Sequence, residues 1–184
     1  MPVNGFRSRE RGFTLTELLI AMLIASLLLG SMYSVYTFNY KTFRVQEQIA
    51  EAQQNARGAL QSMTRDIMMA GYNTGTGIIF ANNTSLTIQS YGTNFISYSR
   101  YSSARIGRKK TGETRQAVAE RIRRLSFNYY STSGGSLLVS GNVPSASLGS
   151  VRQIKISVTA GTPVFGGYSG SCTLETTLTP RNLK

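Results

Sequence analysis

The 184-residue sequence contains no histidine and no tryptophan, and its only cysteine and only aspartate are Cys172 and Asp66. Without histidine there is no Ser-His-Asp or Cys-His nucleophile pair and no imidazole ligand for a metal. One cysteine cannot form a disulfide within the chain or build a cysteine-rich zinc site. The eight acidic residues are too scattered to suggest paired catalytic carboxylates or a calcium loop. We therefore predict that the protein is not an enzyme, uses no metal and no cofactor, and acts in assembly, binding or anchoring.

Charged residues are also missing from a long apolar stretch near the N-terminus. Residues 18–40 form an uncharged run of 23 residues. A helix needs about 20 apolar residues to cross the hydrocarbon core of a bilayer. Arg7, Arg9 and Arg11 precede this run, against one acid, Glu10. Because basic residues before an apolar span hold that end in the cytoplasm, we predict one span with a cytoplasmic N-terminus.

The apolar run could have a role beyond anchoring, but two simpler interpretations compete with that view. One is a cleaved secretory signal peptide, although the residues after the apolar run, Gly30-Ser31-Met32, make a poor cleavage site. The other is an uncleaved anchor. Neither explains Glu17, which lies between Leu15 and Leu18, because a carboxylate at the edge of a span is costly without a partner. Glu17 could also lie at the headgroup level and simply mark the edge of the span.

Residues 11–20, with the sequence RGFTLTELLI, resemble the class III signal of type IV prepilins and of type II secretion pseudopilins. The resemblance implies that a prepilin peptidase cuts between Gly12 and Phe13 on the cytoplasmic side and N-methylates Phe13. It also implies that the apolar helix stays in the mature protein. Glu17 then corresponds to the glutamate that pairs with the N-terminal amine of a neighbouring subunit. Pairing the two charges removes a cost that each would carry alone in lipid.

The helix is predicted to continue well beyond the apolar run. No proline occurs between Phe13 and Gly71, and apolar residues recur at steps of three and four from Val45 to Ile67. We predict one helix over residues 13–70, ended by Gly71 in a left-handed conformation. The predicted organisation is a cleaved leader at 1–12, a transmembrane or filament-core half at 13–40, an amphipathic half at 41–71 and a β-rich domain at 72–184.

Short runs of alternating residues, separated by glycine and asparagine turns, predict strands after Gly71. A helix followed by antiparallel strands predicts an α+β, type IV pilin-like fold, with the long N-terminal helix packed on an antiparallel sheet. The predicted strands are residues 77–81, 85–91, 95–101, 122–131, 136–139, 151–159 and 172–179.

A second resemblance covers much of the chain. Residues 43–47, residues 65–72 (RDIMMAGY) and the ending at 179–183 resemble the PilW group of minor pilins, and the J-type pseudopilin of type II secretion is close. Many major pilins close a C-terminal loop with a disulfide, which Cys172 alone cannot form. The resemblance therefore favours a minor subunit over the main filament protein.

Residues 100–124, here called the basic segment, hold nine basic residues against Glu113 and Glu120, a net charge of +7. Four interpretations are open: a solvated loop between strands, a surface for an acidic protein partner, a nucleic-acid site in which Tyr98 and Tyr101 stack on bases, or a site for anionic lipid. The candidate contact residues are Arg105, Arg108, Lys109, Lys110, Arg121, Arg123 and Arg124.

Together these patterns predict a minor pilin that helps initiate or cap a type IV pilus. Its expected partners are prepilin peptidase (which is also the N-methyltransferase), other major and minor pilins, and the inner membrane before assembly. The domain would be periplasmic and later exposed on the pilus. The alternatives are a minor pseudopilin of a type II secretion system and, more distantly, a membrane-tethered DNA-binding protein.

Overall fold

The computed structural model describes residues 12–72, 77–90, 92–102, 104–161 and 170–182. The predicted leader, apart from Gly12, lies outside these residues, as do Tyr91 and Leu183. The chain divides into two units, Met1–Phe43 and Arg44–Lys184. In the first unit, the described residues are almost all exposed and helical. The second unit contains the rest of the helix and every strand found in the described ranges.

Helix α1 is Leu15–Met68, slightly shorter than the predicted 13–70. Gly71 follows its end with φ +75°, as the sequence predicts. A side chain at Gly71 would also meet the carbonyl oxygen of Asn182 and the Cα of Gly77, so glycine is required there on two counts. Within the second unit, one face of α1 is buried. Its buried apolar residues are Ala52, Ala56, Ala59, Leu60, Met63 and Ile67.

A five-stranded antiparallel sheet has the order β1-β2-β3-β4-β5. The predicted turn at Asn82-Asn83 joins β1 to β2, and the side-chain oxygen of Asn82 accepts hydrogen bonds from the backbone N–H groups of Thr84 and Ser85. The strands are β1 Ile78–Ala81, β2 Ser85–Gln89, β3 Phe95–Tyr101, β4 Arg105–Lys110 and β5 Gln116–Glu120.

A second, three-stranded antiparallel sheet has the order β6-β7-β8. Its inward-facing residues supply large parts of the core, and the rings of Phe127 and Tyr129 stack with centroids 6.4 Å apart. A 3-10 helix, Ser145–Ser150, precedes β7. The strands are β6 Ile122–Tyr130, β7 Gln153–Gly161 and β8 Ser171–Leu178.

Two parts of the strand prediction are wrong. Residues 136–139 form no strand, because turns at Gly134 and at Ser140-Gly141, all with positive φ, leave room only for single bridges to Tyr130 and Asn142. Conversely, β4 and β5 occupy residues 105–120 of the basic segment, for which the sequence predicts no strand. The interpretation of that segment as a loop is therefore wrong as well.

The predicted α+β class is confirmed: a long N-terminal helix packs on antiparallel strands. The strands form two sheets rather than one. The buried surfaces of α1 and both sheets contribute to one hydrophobic core in the second unit. The N-terminal part of α1 and the outer faces of the strands remain exposed, so these are the surfaces that can contact other molecules.

Candidate functional site

The predicted cleavage point lies in irregular backbone just before α1. Gly12, Phe13 and Thr14 have no regular secondary structure, and Phe13 is 88% exposed. A Cβ added at Gly12 would meet nothing within 4 Å. The peptide bond between Gly12 and Phe13 is thus in a conformation and position that another protein can reach.

Glu17 takes part in a capping box with Thr14. The Thr14 N–H and hydroxyl donate to Oε2 of Glu17 at 3.0 and 2.9 Å, and the Glu17 N–H donates to Oγ1 of Thr14 at 3.3 Å. These bonds satisfy backbone groups that the first turn of a helix otherwise leaves unpaired. Sequence reasoning missed this role, although threonine followed three residues later by glutamate is its usual signature. Glu17 therefore has a partner inside its own chain.

Helix α1 contains a stretch that is long and apolar enough to cross a membrane, and none of that stretch is buried. Three of its hydroxyl groups are satisfied locally. The side chains of Ser26, Ser31 and Thr37 donate to the carbonyl oxygens of Leu23, Leu28 and Ser34 at 2.7, 2.8 and 2.9 Å. Because no hydrogen-bond partner is available in lipid, such back-bonding suits a helix with an exposed apolar surface.

Residues 7–33 match the family described as "Prokaryotic N-terminal methylation motif". The chain carries a prokaryotic N-terminal methylation motif. The match includes Gly12, Phe13, Glu17 and the first part of the apolar helix. The methylation motif implies processing by prepilin peptidase and assembly with other pilins, and it indicates a structural subunit rather than an enzyme. An apolar N-terminal helix behind such a motif fits a membrane-anchored pilin.

One solved structure with a similar chain is a type IV-like pilin from Thermus thermophilus. The two sequences are 12% identical, the match covers 68% of this chain and 93% of that chain, and the TM-score is 0.46. At that identity and TM-score the likeness carries no argument about function. No curated protein sequence matches the chain. The methylation motif is therefore the comparison that bears on function.

Three candidate contact residues of the basic segment are held in ion pairs. Arg105 pairs with Glu120 across β4 and β5, with Nε and Oε1 3.0 Å apart, and Lys110 pairs with Glu113 at 3.5 Å. Arg121, which follows β5 with φ +59°, pairs with Glu51 on α1. These three side chains are thus engaged within the domain. Lys109 is exposed on β4.

Arg108 has a structural partner that the sequence did not suggest. Its Nε donates to Oδ2 of Asp66 at 2.7 Å, and the hydroxyl of Tyr98 donates to the same oxygen at 2.6 Å. Ser62 lies 3.3 Å from the Tyr98 hydroxyl. Burial, and then the hydrogen bond to Asp66, raises the pKa of Tyr98 to about 12. This cluster joins the end of α1 to β3 and β4.

The remaining two candidates, Arg123 and Arg124, line one groove together with Arg100. The groove has a volume of about 480 Å³, and Thr84 and Leu125 complete its lining. All three arginines are exposed. Arg100 comes from β3 and the other two from β6, so the folded domain brings together residues that the sequence separates. Arg100 was not among the predicted contact residues.

Neither tyrosine that suggested base stacking is available for it. Tyr98 is fully buried, with its hydroxyl on Asp66. Tyr101 is half-buried, and the guanidinium of Arg115 lies 5.5 Å from its ring centroid. Stacking on exposed aromatic rings is a main source of affinity for single-stranded nucleic acids. The basic segment therefore offers charge without the aromatic surface that the nucleic-acid interpretation assumed.

Proposed function

We propose that the protein is a minor pilin, a structural and assembly subunit of a type IV pilus that helps initiate or cap the filament. The observation that carries the proposal is the methylation motif at residues 7–33, in which Gly12, Phe13 and Glu17 directly precede an uncharged apolar helix. Prepilin peptidase would remove residues 1–12 and methylate Phe13. The protein would lie in the inner membrane with its N-terminus in the cytoplasm, and its domain would later lie on the pilus surface.

A minor pseudopilin of a type II secretion system is the second candidate, because the same motif and helix serve both machines. The resemblance of residues 65–72 to the PilW group supports the pilus. The two are distinguished by deleting the gene and measuring surface pili and protein secretion separately. Loss of pili with normal secretion supports the first candidate, and the reverse result supports the second.

Processing is tested by mass spectrometry of the protein isolated from cells that contain prepilin peptidase. We expect a mature chain that begins at Phe13 and carries one methyl group. Gly12→Val should leave the precursor intact, because a side chain then occupies the residue before the cut, whereas Gly30→Ala in the helix should be processed normally. An unmethylated chain that still begins at Met1 would contradict the proposal.

Glu17 is proposed to have two successive partners. Before cleavage it accepts hydrogen bonds from Thr14, and in the filament its carboxylate pairs with the methylated amine of Phe13 on a neighbouring subunit. Glu17→Gln keeps an oxygen that can accept the Thr14 hydrogen bonds but removes the charge. We expect normal cleavage and strongly reduced incorporation into pili, measured by immunoblotting sheared filaments. Normal incorporation of this variant would refute the paired-charge role and leave only capping.

A further inference from the structure

The groove lined by Arg100, Arg123 and Arg124, here called the arginine groove, lies between the two sheets of the domain. One side is formed by Thr84, at the turn between β1 and β2, and by Arg100 near the end of β3. The other side is the beginning of β6, with Arg123, Arg124 and Leu125. A neighbouring depression of about 380 Å³ shares Thr84, Arg124 and Leu125 and continues along β6 past Ser126 and Asn128. The groove is therefore elongated and follows a strand.

The edge of β6 that faces away from β7 is open at Leu125, between two residues whose N–H groups are already bonded. Ile122 N–H donates to Ala104 O at 2.8 Å, and Phe127 N–H donates to Asn83 O at 2.8 Å, so both bonds point away from β7. Because backbone groups alternate in direction along an antiparallel strand, the N–H and C=O of Leu125 also point away from β7 and towards the groove. Among the described residues, neither group has a hydrogen-bond partner on that side.

The positive side chains are held at this open edge. A terminal nitrogen of Arg100 donates to the carbonyl oxygen of Arg123, which fixes the guanidinium beside the strand. The stem of Arg123 lies over Gly161, where any Cβ would overlap it. Arg124 is exposed on the outer face of β6. Two of the three arginines are thus positioned by contacts of the fold before any ligand arrives.

The acidic residues of the domain are engaged elsewhere. Each of the six carboxylates between residues 44 and 182 lies in an ion pair with a basic residue outside the groove. The pairs are Arg44–Glu47, Arg121–Glu51, Arg108–Asp66, Lys110–Glu113, Arg105–Glu120 and Lys155–Glu175. Carboxylates that neutralise the positive charge of the groove would therefore have to come from another molecule.

We infer that this groove binds an extended acidic segment of another protein. Such a segment can pair its backbone with Leu125 at the open edge of β6, while alternate carboxylates meet Arg100 and Arg124. Nucleic acid is the weaker fit, because Tyr98 is buried and Arg115 covers Tyr101. A second copy of the domain is also a weak fit, because residues 44–182 carry a net charge of +9 and all their carboxylates are paired. The inference does not depend on cleavage after Gly12.

The test is fluorescence anisotropy with the full-length protein in detergent micelles. The probes are a labelled peptide of alternating glutamate and serine, the same peptide with alternate backbone amides N-methylated, and a labelled oligothymidine of equal charge. We expect the first peptide to bind best. Arg100→Gln with Arg124→Gln should weaken its binding by about tenfold, the scale of a lost pair of charge-assisted hydrogen bonds. N-methylation should also weaken binding, because it blocks pairing at the edge of β6.

The matched control is Arg57→Gln with Arg181→Gln, which removes the same charge from two exposed arginines elsewhere. It should change affinity by less than about twofold, because distant surface charges act only through a screened field. Equal weakening by both pairs of substitutions, equal binding of the N-methylated peptide, or absence of peptide binding would overturn the proposal. Tighter, arginine-dependent binding of the oligothymidine would replace it with a nucleic-acid site. Arg124→Gln alone, at an exposed side chain, repeats the test if the double variant does not fold.

Discussion

Asp66, the only aspartate of the chain, has its carboxylate buried at the end of α1, where it is 9% exposed. Its Oδ2 accepts one hydrogen bond from Tyr98 and one from Arg108, residues that lie 32 and 42 positions further along the chain. A buried carboxylate without such partners would be strongly destabilising. The sequence offers the three residue types but no sign that they meet, since neither spacing nor periodicity encodes a contact over that distance.

Asp66→Asn should lower the free energy of unfolding by about 1–3 kcal/mol, because it leaves the partly buried Arg108 without its counter-charge. Arg108→Gln should cost a similar amount, and the double variant should cost less than the sum of the two. Thermal unfolding of the full chain in micelles, followed by tyrosine circular dichroism, measures all three.

Glu113→Gln serves as the control for this comparison, because it breaks only the exposed pair with Lys110 and should leave unfolding unchanged. Strict additivity of the Asp66 and Arg108 substitutions would mean that the two side chains do not stabilise the fold through their contact.

Among the elements, those with a clear periodicity were predictable. Helix α1 and six of the eight strands in the described part of the chain lie close to their predicted bounds, because the sequence there alternates or repeats at helical steps. Strand β4 has no alternating hydrophobic pattern: only Ile106 and Gly107 are buried, and four of its six residues are Arg or Lys. Strand β5 is short, and two of its five residues are alanine. Pairing with neighbouring strands, rather than local pattern, makes these two segments extended.

The candidate sites also differ in whether local sequence or distant contacts determine them. Gly12, Phe13 and Glu17 are local in sequence, so a motif can reveal them. The arginine groove depends on where β3 and β6 come together. The sequence could suggest Arg123 and Arg124 as contact residues, but it could not show that Arg100 lies beside them. The ion pairs of Arg105, Arg108 and Arg121 likewise follow from strand pairing and packing. Charge density in a sequence thus indicates a basic region but not which of its side chains remain accessible.

For the molecule as a whole, the carboxylates serve mainly to neutralise nearby bases, and the excess charge is positive. No side chain whose ordinary pKa lies near neutrality is present, because the chain has no histidine. Among the groups that link stability to alkaline pH are two buried tyrosines. Burial raises the pKa of Tyr129, and burial with the Asp66 hydrogen bond raises that of Tyr98.

We therefore expect stability to be insensitive to pH around neutrality and to fall at alkaline pH. Folding favours the neutral phenol of Tyr98, so its contribution is complete below the unfolded pKa of 10.0 and is lost as the pH rises through the folded value of about 12. Thermal unfolding across this range measures the effect. Tyr98→Phe should flatten the decline, whereas Tyr72→Phe, at an exposed residue, should not; identical curves for Tyr98→Phe and the parent would contradict the assignment.

The hydroxyls of Ser26, Ser31 and Thr37 each donate to a carbonyl oxygen one turn back. The hydrogen-bond acceptors of these three side chains therefore lie within α1 itself. When such a helix exchanges acyl chains for the side chains of other helices, none of these three bonds has to break. The difference in free energy between the two surroundings then depends on packing and on Glu17.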